Sequence, residues 1–193
     1  MKVATEQDAK DEMLHEAKAM IRLTKHRNIV NIQGVSVHQN QTYLLLEYCS
    51  LGSVESYLQK HADHFIQCLK NQDYEFILKC CTEVVEGMIF LVQKGIIHGD
   101  LAARNVLITS DYLIKVADFG LSSRLYAHQA GYNRKGAQTE TVPIRYAAWE
   151  VIIAHPSTIE KSDVWSFGVY MWEVFILCCE KPYSALRGKF SDY

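Results

Sequence analysis

The chain is poor in structure breakers. It has ten glycines and three prolines in 193 residues, which excludes collagen-like and low-complexity disordered classes. It lacks an excess of one charge: 20 Lys and Arg against 22 Asp and Glu leave a net charge of −2. No basic patch is implied, so a nucleic-acid partner is not expected. No apolar run approaches the length needed to span a bilayer. Met1 is followed by a polar, charged stretch that does not read as a signal peptide. Cysteines are present, at 49, 68, 80, 81, 178 and 179. None forms a Cys-x-x-Cys pair, so neither a zinc site nor a disulfide framework is indicated, and reduced, buried thiols are expected. His61 and His64 could share a helix face, but no Cys or carboxylate cluster joins them, so a solvated helix surface is expected there.

What is present is ordered periodicity. Residues 6–25 read as a helix, with Met13, Ala17, Met20 and Ile21 at helical spacing. Ile29–Val37 and Thr42–Cys49 are rich in β-formers and flank a turn at 38–41, so a hairpin is expected. Gly52-Ser53 precedes a short helix over 53–62. The segment 74–94 is the clearest helix. Ile77, Cys81, Val84, Val85, Met88, Leu91 and Val92 make its apolar face, Asp73 can cap its start and Gly95 ends it. Short apolar runs follow at 96–97, read as a strand, and at 106–108 and 113–117. The stretch 122–142 reads as a long polar loop, and a last helix is predicted from about 162 to 177. Strands first and helices later imply an α+β chain: a small sheet lobe, then a larger helical lobe.

The polar groups with chemical potential lie in three loops. His98-Gly99-Asp100-Leu101-Ala102-Ala103-Arg104-Asn105 follows the long helix. Asp118-Phe119-Gly120 lies 13 residues after Asn105, and Pro143-Ile144-Arg145-Tyr146-Ala147-Ala148-Trp149-Glu150 closes the polar loop. The first resembles the catalytic loop H-R-D-L-x-x-x-N of protein kinases and the second their D-F-G. Leu-Ala-Ala-Arg-Asn resembles the tyrosine-kinase version, where serine/threonine enzymes usually carry a Lys. Lys161–Val174 resembles the helix under that loop, 143–150 the stretch ending in Ala-Pro-Glu, and Glu47–Leu58 the hinge and its helix. With these motifs in order along most of the chain, it is identified as a member of the protein tyrosine kinases, with a receptor-type likeness.

That resemblance implies a two-lobed kinase fold with both lobes incomplete. Residues 1–48 would be the small-lobe part with its helix, and 49–193 the hinge and large-lobe part. No G-x-G-x-x-G precedes Lys2, and the family has further helices after Lys181-Pro182-Tyr183, so a fragment truncated at both ends is expected. The implied cofactors are ATP and Mg²⁺. Asp100 would accept the proton of a substrate tyrosine, with Arg104 facing the acceptor site. Asn105 and Asp118 would offer Mg²⁺ hard oxygen ligands. Lys2 would pair the ATP phosphates with Glu16 as its partner, and the backbone of Glu47 and Cys49 would meet adenine with Leu46 behind it. Met20, Ile32, His98 and Phe119 would stack between the lobes on Asp163. The implied partners are tyrosine-containing proteins, ATP and a second receptor copy on dimerisation. The implied location is the cytoplasmic face of the plasma membrane as part of a receptor, the alternative being the cytoplasm.

Two departures stand out. Gly99 replaces the usual Arg, which implies weaker dependence on loop phosphorylation; Tyr132 and Tyr126 are the candidate loop phosphosites. Trp149 replaces Pro, and Glu150 is expected to be a buried charge without its usual Arg. The alternative to an active kinase is a pseudokinase or inactive fragment acting as a binding or scaffolding module.

Overall fold

A computed structural model describes the backbone of residues 2–4, then residues 17, 20–21, 25–39, 41–118, 144–154 and 161–184. Strands β1 (Lys2–Ala4), β2 (Ile32–His38) and β3 (Gln41–Leu46) form an antiparallel sheet in the order β1-β3-β2. The central position of β3 explains its burial: Thr42 and Leu44 are enclosed, whereas Val35 and Val37 on the edge strand β2 are exposed. The hairpin turns at Gln39, with φ +48°.

The expected strand beginning at Ile29 starts three residues later. Ile29 makes a parallel bridge to Val116 instead, and the Val30 N–H donates to the Val116 carbonyl at 2.9 Å. The segment 28–30 therefore stitches the first sheet to a second, built from β4 (Gly52–Ser53), β5 (Val106–Ile108) and β6 (Ile114–Val116) in that order. Between them run α1 (Val54–Lys60), α2 (Ala62–Lys70) and α3 (Glu75–Gln93). A 3₁₀ turn at Ala103–Asn105 precedes β5, and α4 (Trp149–Ala154) and α5 (Ser162–Phe175) follow. Ser53 caps α1 through its hydroxyl, which accepts from Ser56 N.

The long predicted helix is α3. The Asp73 carboxylate accepts from Glu75 N at 3.2 Å, and the end is a Schellman motif. Gly95 sits at φ +67°, its N–H bonds Val92 O, and Ile96 N bonds Leu91 O. That bond occupies Ile96, so 96–97 is no strand but the buried exit from the helix. The buried face carries Ile77, Cys80, Cys81, Glu83, Val84, Gly87, Met88 and Leu91, while Val92 is exposed. Each enclosed Leu or Ile on it contributes about 1.5–3 kcal/mol. Glu83 is buried because it is fully used: it accepts from Ile114 N at 2.8 Å and Asn28 Nδ2 at 3.3 Å, and pairs with Lys79.

Gly87 is a helix-interior glycine with a packing reason. A Cβ there would lie 2.8 Å from Asn28 O and 3.2 Å from Val116 Cγ2. Asn28 O is pinned by Val116 N at 2.8 Å and cannot retreat. Gly87→Ala should therefore destabilise by about 1–3 kcal/mol despite the better helix propensity of Ala. Urea unfolding checks this, and a stabilised variant would refute it.

Helix α5 ends two residues early for a visible reason. Leu177 adopts φ +55°, closing a second Schellman turn in which Cys178 N bonds Glu173 O at 2.7 Å. Leu177 is buried, and its packing offsets the strain of a left-handed non-glycine residue. One main core joins Leu44, Met20 and Ile29 to α1, α3, the second sheet and α5.

Candidate active site

The loop 98–105 is held from below by α5. His98 is fully enclosed, and its N–H donates to Asp163 Oδ2 at 2.8 Å. Gly99 N donates to Asp163 Oδ1 at 2.9 Å. His98 Nδ1 accepts from Asp100 N at 3.2 Å, so Nε2 carries the hydrogen and donates to Ala117 O at 2.9 Å. The Ala117 N–H returns to Asn105 O at 2.9 Å. Asp118, adjacent to Ala117, is thereby registered against the loop that carries Asp100. Asp118 adopts φ +63°, a left-handed conformation that Asp tolerates better than most residues.

The Asp100 carboxylate is ordered on both oxygens. Arg104 pairs with Oδ1, and Asn105 Nδ2 donates to Oδ2 at 2.8 Å and to Asp100 O at 2.7 Å. Spending the Asn105 amide hydrogens this way turns its oxygen away from Asp100. The expected trio Asp100, Arg104 and Asn105 is thus one cluster. Arg104 also lies 4.5 Å over the ring of Tyr146. Burial alone would lower its pKa, but Asp100, Tyr146 and Glu173 hold it above the ordinary arginine value.

Glu173 ties this cluster to α5. Its Oε2 accepts from Ala103 N at 2.9 Å and its Oε1 from the Tyr146 hydroxyl at 2.7 Å. Burial pushes Glu173 upward against those bonds, and burial with Glu173 pushes the Tyr146 hydroxyl up. Ser166 Oγ donates to Tyr146 O at 2.8 Å. Neither Tyr146 nor Glu173 was singled out in the sequence; their only signal was membership of motifs named for other reasons.

The segment 47–49, expected to be the hinge, holds a second network. The Glu47 carboxylate accepts from Asn31 N at 3.1 Å, Asn31 Nδ2 at 2.8 Å and Lys115 Nζ at 3.1 Å. Burial pushes Glu47 up, but the Asn31 bonds and Lys115 outweigh it and hold the carboxyl below its ordinary value. The side chain of Glu47, expected to serve through its backbone, is therefore structural. Tyr48 is exposed, and burial pushes the Cys49 thiol up to about 11. Leu46 is half-buried and packs against both hydrophobic clusters.

Other expected residues divide clearly. Met20 is buried in the main core and Ile32 packs against it. Lys2 is placed by its backbone alone, opposite Leu44 in β1. Glu16, Phe119, Tyr126, Tyr132 and Pro143 lie outside the described residues. Glu150, expected to be a buried charge, is half-buried in the first turn of α4, where a carboxylate is favoured. Trp149 beside it is exposed.

The sequence model of the protein tyrosine and serine/threonine kinase family matches residues 1–190. The chain belongs to that family. It is 36% identical over 182 residues to fibroblast growth factor receptor 1 of Xenopus laevis, covering 90% of this chain and 22% of that protein. It is 37% identical over 180 residues to tyrosine-protein kinase Btk of Drosophila melanogaster, covering 93% and 21%. Discoidin domain-containing receptor tyrosine kinase B of Caenorhabditis elegans is 36% identical over 171 residues, covering 88% and 20%. The chain thus spans about a fifth of the length of these relatives.

Proposed function

We propose that this chain is part of a tyrosine-specific kinase domain that transfers the γ-phosphate of ATP to tyrosine hydroxyls in proteins. The observation that carries the reading is the Asp100 carboxylate, oriented on both oxygens by Arg104 and Asn105 and registered to Asp118 through Ala117. On this reading residues 1–48 contribute to the small lobe and 49–193 to the hinge and large lobe.

Asp100 accepts the proton of the tyrosine hydroxyl and orients its oxygen. Arg104 holds Asp100 and faces the acceptor. The Asn105 amide oxygen and the Asp118 carboxylate are hard donors that fit Mg²⁺. Lys2, partnered by Glu16, would hold the ATP phosphates, and the backbone of Glu47 and Cys49 would meet adenine. Bound Mg²⁺–ATP supplies the phosphoryl group and the positive charge that offsets its developing negative charge. Two of the relatives are named receptors and all three are named for, or as, receptors or tyrosine kinases. These names support tyrosine as acceptor and a receptor context; on this reading the chain is the cytoplasmic part of a receptor that dimerises or, as the alternative, a cytoplasmic kinase.

Mg²⁺–ATP at a hundred times its dissociation constant should add about 2.7 kcal/mol of stability, read as an upward melting shift that Asp118→Asn abolishes. A melting curve indifferent to Mg²⁺–ATP would remove nucleotide binding from the proposal. The second reading, a binding or scaffolding pseudokinase, draws on Gly99 and on the exposed Trp149 in place of Pro.

A further inference from the structure

The outward side of α3 is apolar where a surface helix is ordinarily polar. Leu78, Ile89 and Val92 are 53%, 52% and 52% exposed. Between them Thr82 is exposed and Val85 is half-buried. Successive members of this stripe are four, three, four and three residues apart. That is the heptad spacing by which one helix meets another. At 3.6 residues per turn the five positions fall within an arc of about 80°. On one flank Cys81 and Met88 turn into the core. On the other flank stand the half-buried Lys79 and the exposed Glu86.

The one polar member does not oppose burial. The Thr82 hydroxyl donates to Leu78 O at 2.9 Å within the helix, so covering it strands no donor. The charges on the flank select the partner and its direction. In heptad terms Thr82 and Ile89 occupy a, Leu78, Val85 and Val92 occupy d, and Lys79 and Glu86 occupy e. A parallel pair would set e against g, and the g positions here are the core residues Cys81 and Met88. An antiparallel pair sets Leu78 against Ile89 of the second copy, and Thr82 against Val85. The same register brings Lys79 beside Glu86 of the second copy, and symmetry repeats that contact. Sliding the pair by one heptad would instead set Glu86 against Glu86. Lys79 also serves Glu83, but an ammonium has three donors.

We propose that the outward stripe of α3 is the contact of an antiparallel homodimer of this chain. The partner is a second copy because the stripe is complementary to itself in both apolar period and charge. One helix seam is smaller than a standard interface of about 1,600 Å², so the association is weak, with a dissociation constant between about 1 µM and about 1 mM. The proposal does not draw on the kinase reading, and a chain without phosphotransfer would leave it standing.

Sedimentation equilibrium across that concentration range tests it, with a melting curve for each variant. The wild type should pass from monomer to dimer as concentration rises. Ile89→Glu places a charge in the seam twice and should raise the dissociation constant about a hundredfold or more. Glu86→Lys, a milder change if the first variant fails to fold, sets Lys against Lys79 and should weaken the dimer about tenfold. Added salt should weaken the wild-type dimer and strengthen that of Glu86→Lys. A wild type monomeric up to about 1 mM would overturn the proposal and leave the stripe to a helix of a different partner. A dimer indifferent to Ile89→Glu would overturn it as well, and one indifferent to Glu86→Lys would overturn the antiparallel register.

Discussion

Asp100→Asn should cost phosphotransfer about 10²- to 10⁴-fold, the usual contribution of a positioned general base, while leaving the melting temperature nearly unchanged. Asp100 is not a core residue; its side chain is 21% exposed, so its loss leaves no cavity. The substitution acts on ionisation and on hydrogen-bond polarity. Both carboxylate oxygens now face donors, Arg104 on one and Asn105 on the other. An amide can satisfy one of them and must present an NH₂ group to the other. It also cannot accept the hydroxyl proton. Initial rates on a tyrosine peptide with Mg²⁺–ATP, beside a melting curve, make the measurement. Rates within threefold of wild type would show that Asp100 is not the base and would favour the scaffolding reading.

The second large effect is expected far from that carboxylate. Glu47→Ala should destabilise the protein by about 3–5 kcal/mol, the cost of stranding the buried Lys115 of this ion pair. Lys115 has a side chain only 4% exposed, and without Glu47 its remaining hydrogen bond among the described residues is to Ile29 O at 3.4 Å. Lys115→Met removes the stranded charge, so the double variant should recover most of the loss. Denaturant unfolding of the two single variants and the double would establish it. A Glu47→Ala loss under 1 kcal/mol would mean water reaches Lys115. The pH dependence follows from the direction of the shift. Glu47 titrates below its ordinary 4.5 in the folded protein, so its stabilisation is fully present above that value. It is lost as pH falls through the lowered folded value. The gap between wild type and Glu47→Gln should close over that acid range and stay constant above it.

These two sites differ in how far the sequence disclosed them. Asp100, Arg104 and Asn105 fall within six residues, and a local motif places them together because one 3₁₀ turn does so in space. The Glu47–Lys115–Asn31 network joins three separate segments, and its one local trace was a charged residue inside the apolar run 113–117. All three residues of β6 are buried, which is what obliges Lys115 to find a carboxylate. Helix α3 was legible because a strong apolar period ends at a glycine. Helix α2, only nine residues long, was missed although Phe65, Ile66 and Leu69 recur at helical spacing. Ile96 and Ile97 look like a strand by composition, but the Schellman turn had already taken the Ile96 N–H. The terminus of α5 depended on a left-handed leucine, which no propensity would suggest.

The bonds from Asp163 also impose an order in time. His98 and the carboxylate that satisfies its N–H are 65 residues apart in the chain. A ribosome adding about 5–20 residues each second exposes the loop roughly 3–13 seconds before Asp163 exists. During that interval the newly made loop has no native acceptor for two successive amides. The sequence that carries Asp100 is thus translated early, but the shape of its loop is completed only when the helix beneath it arrives.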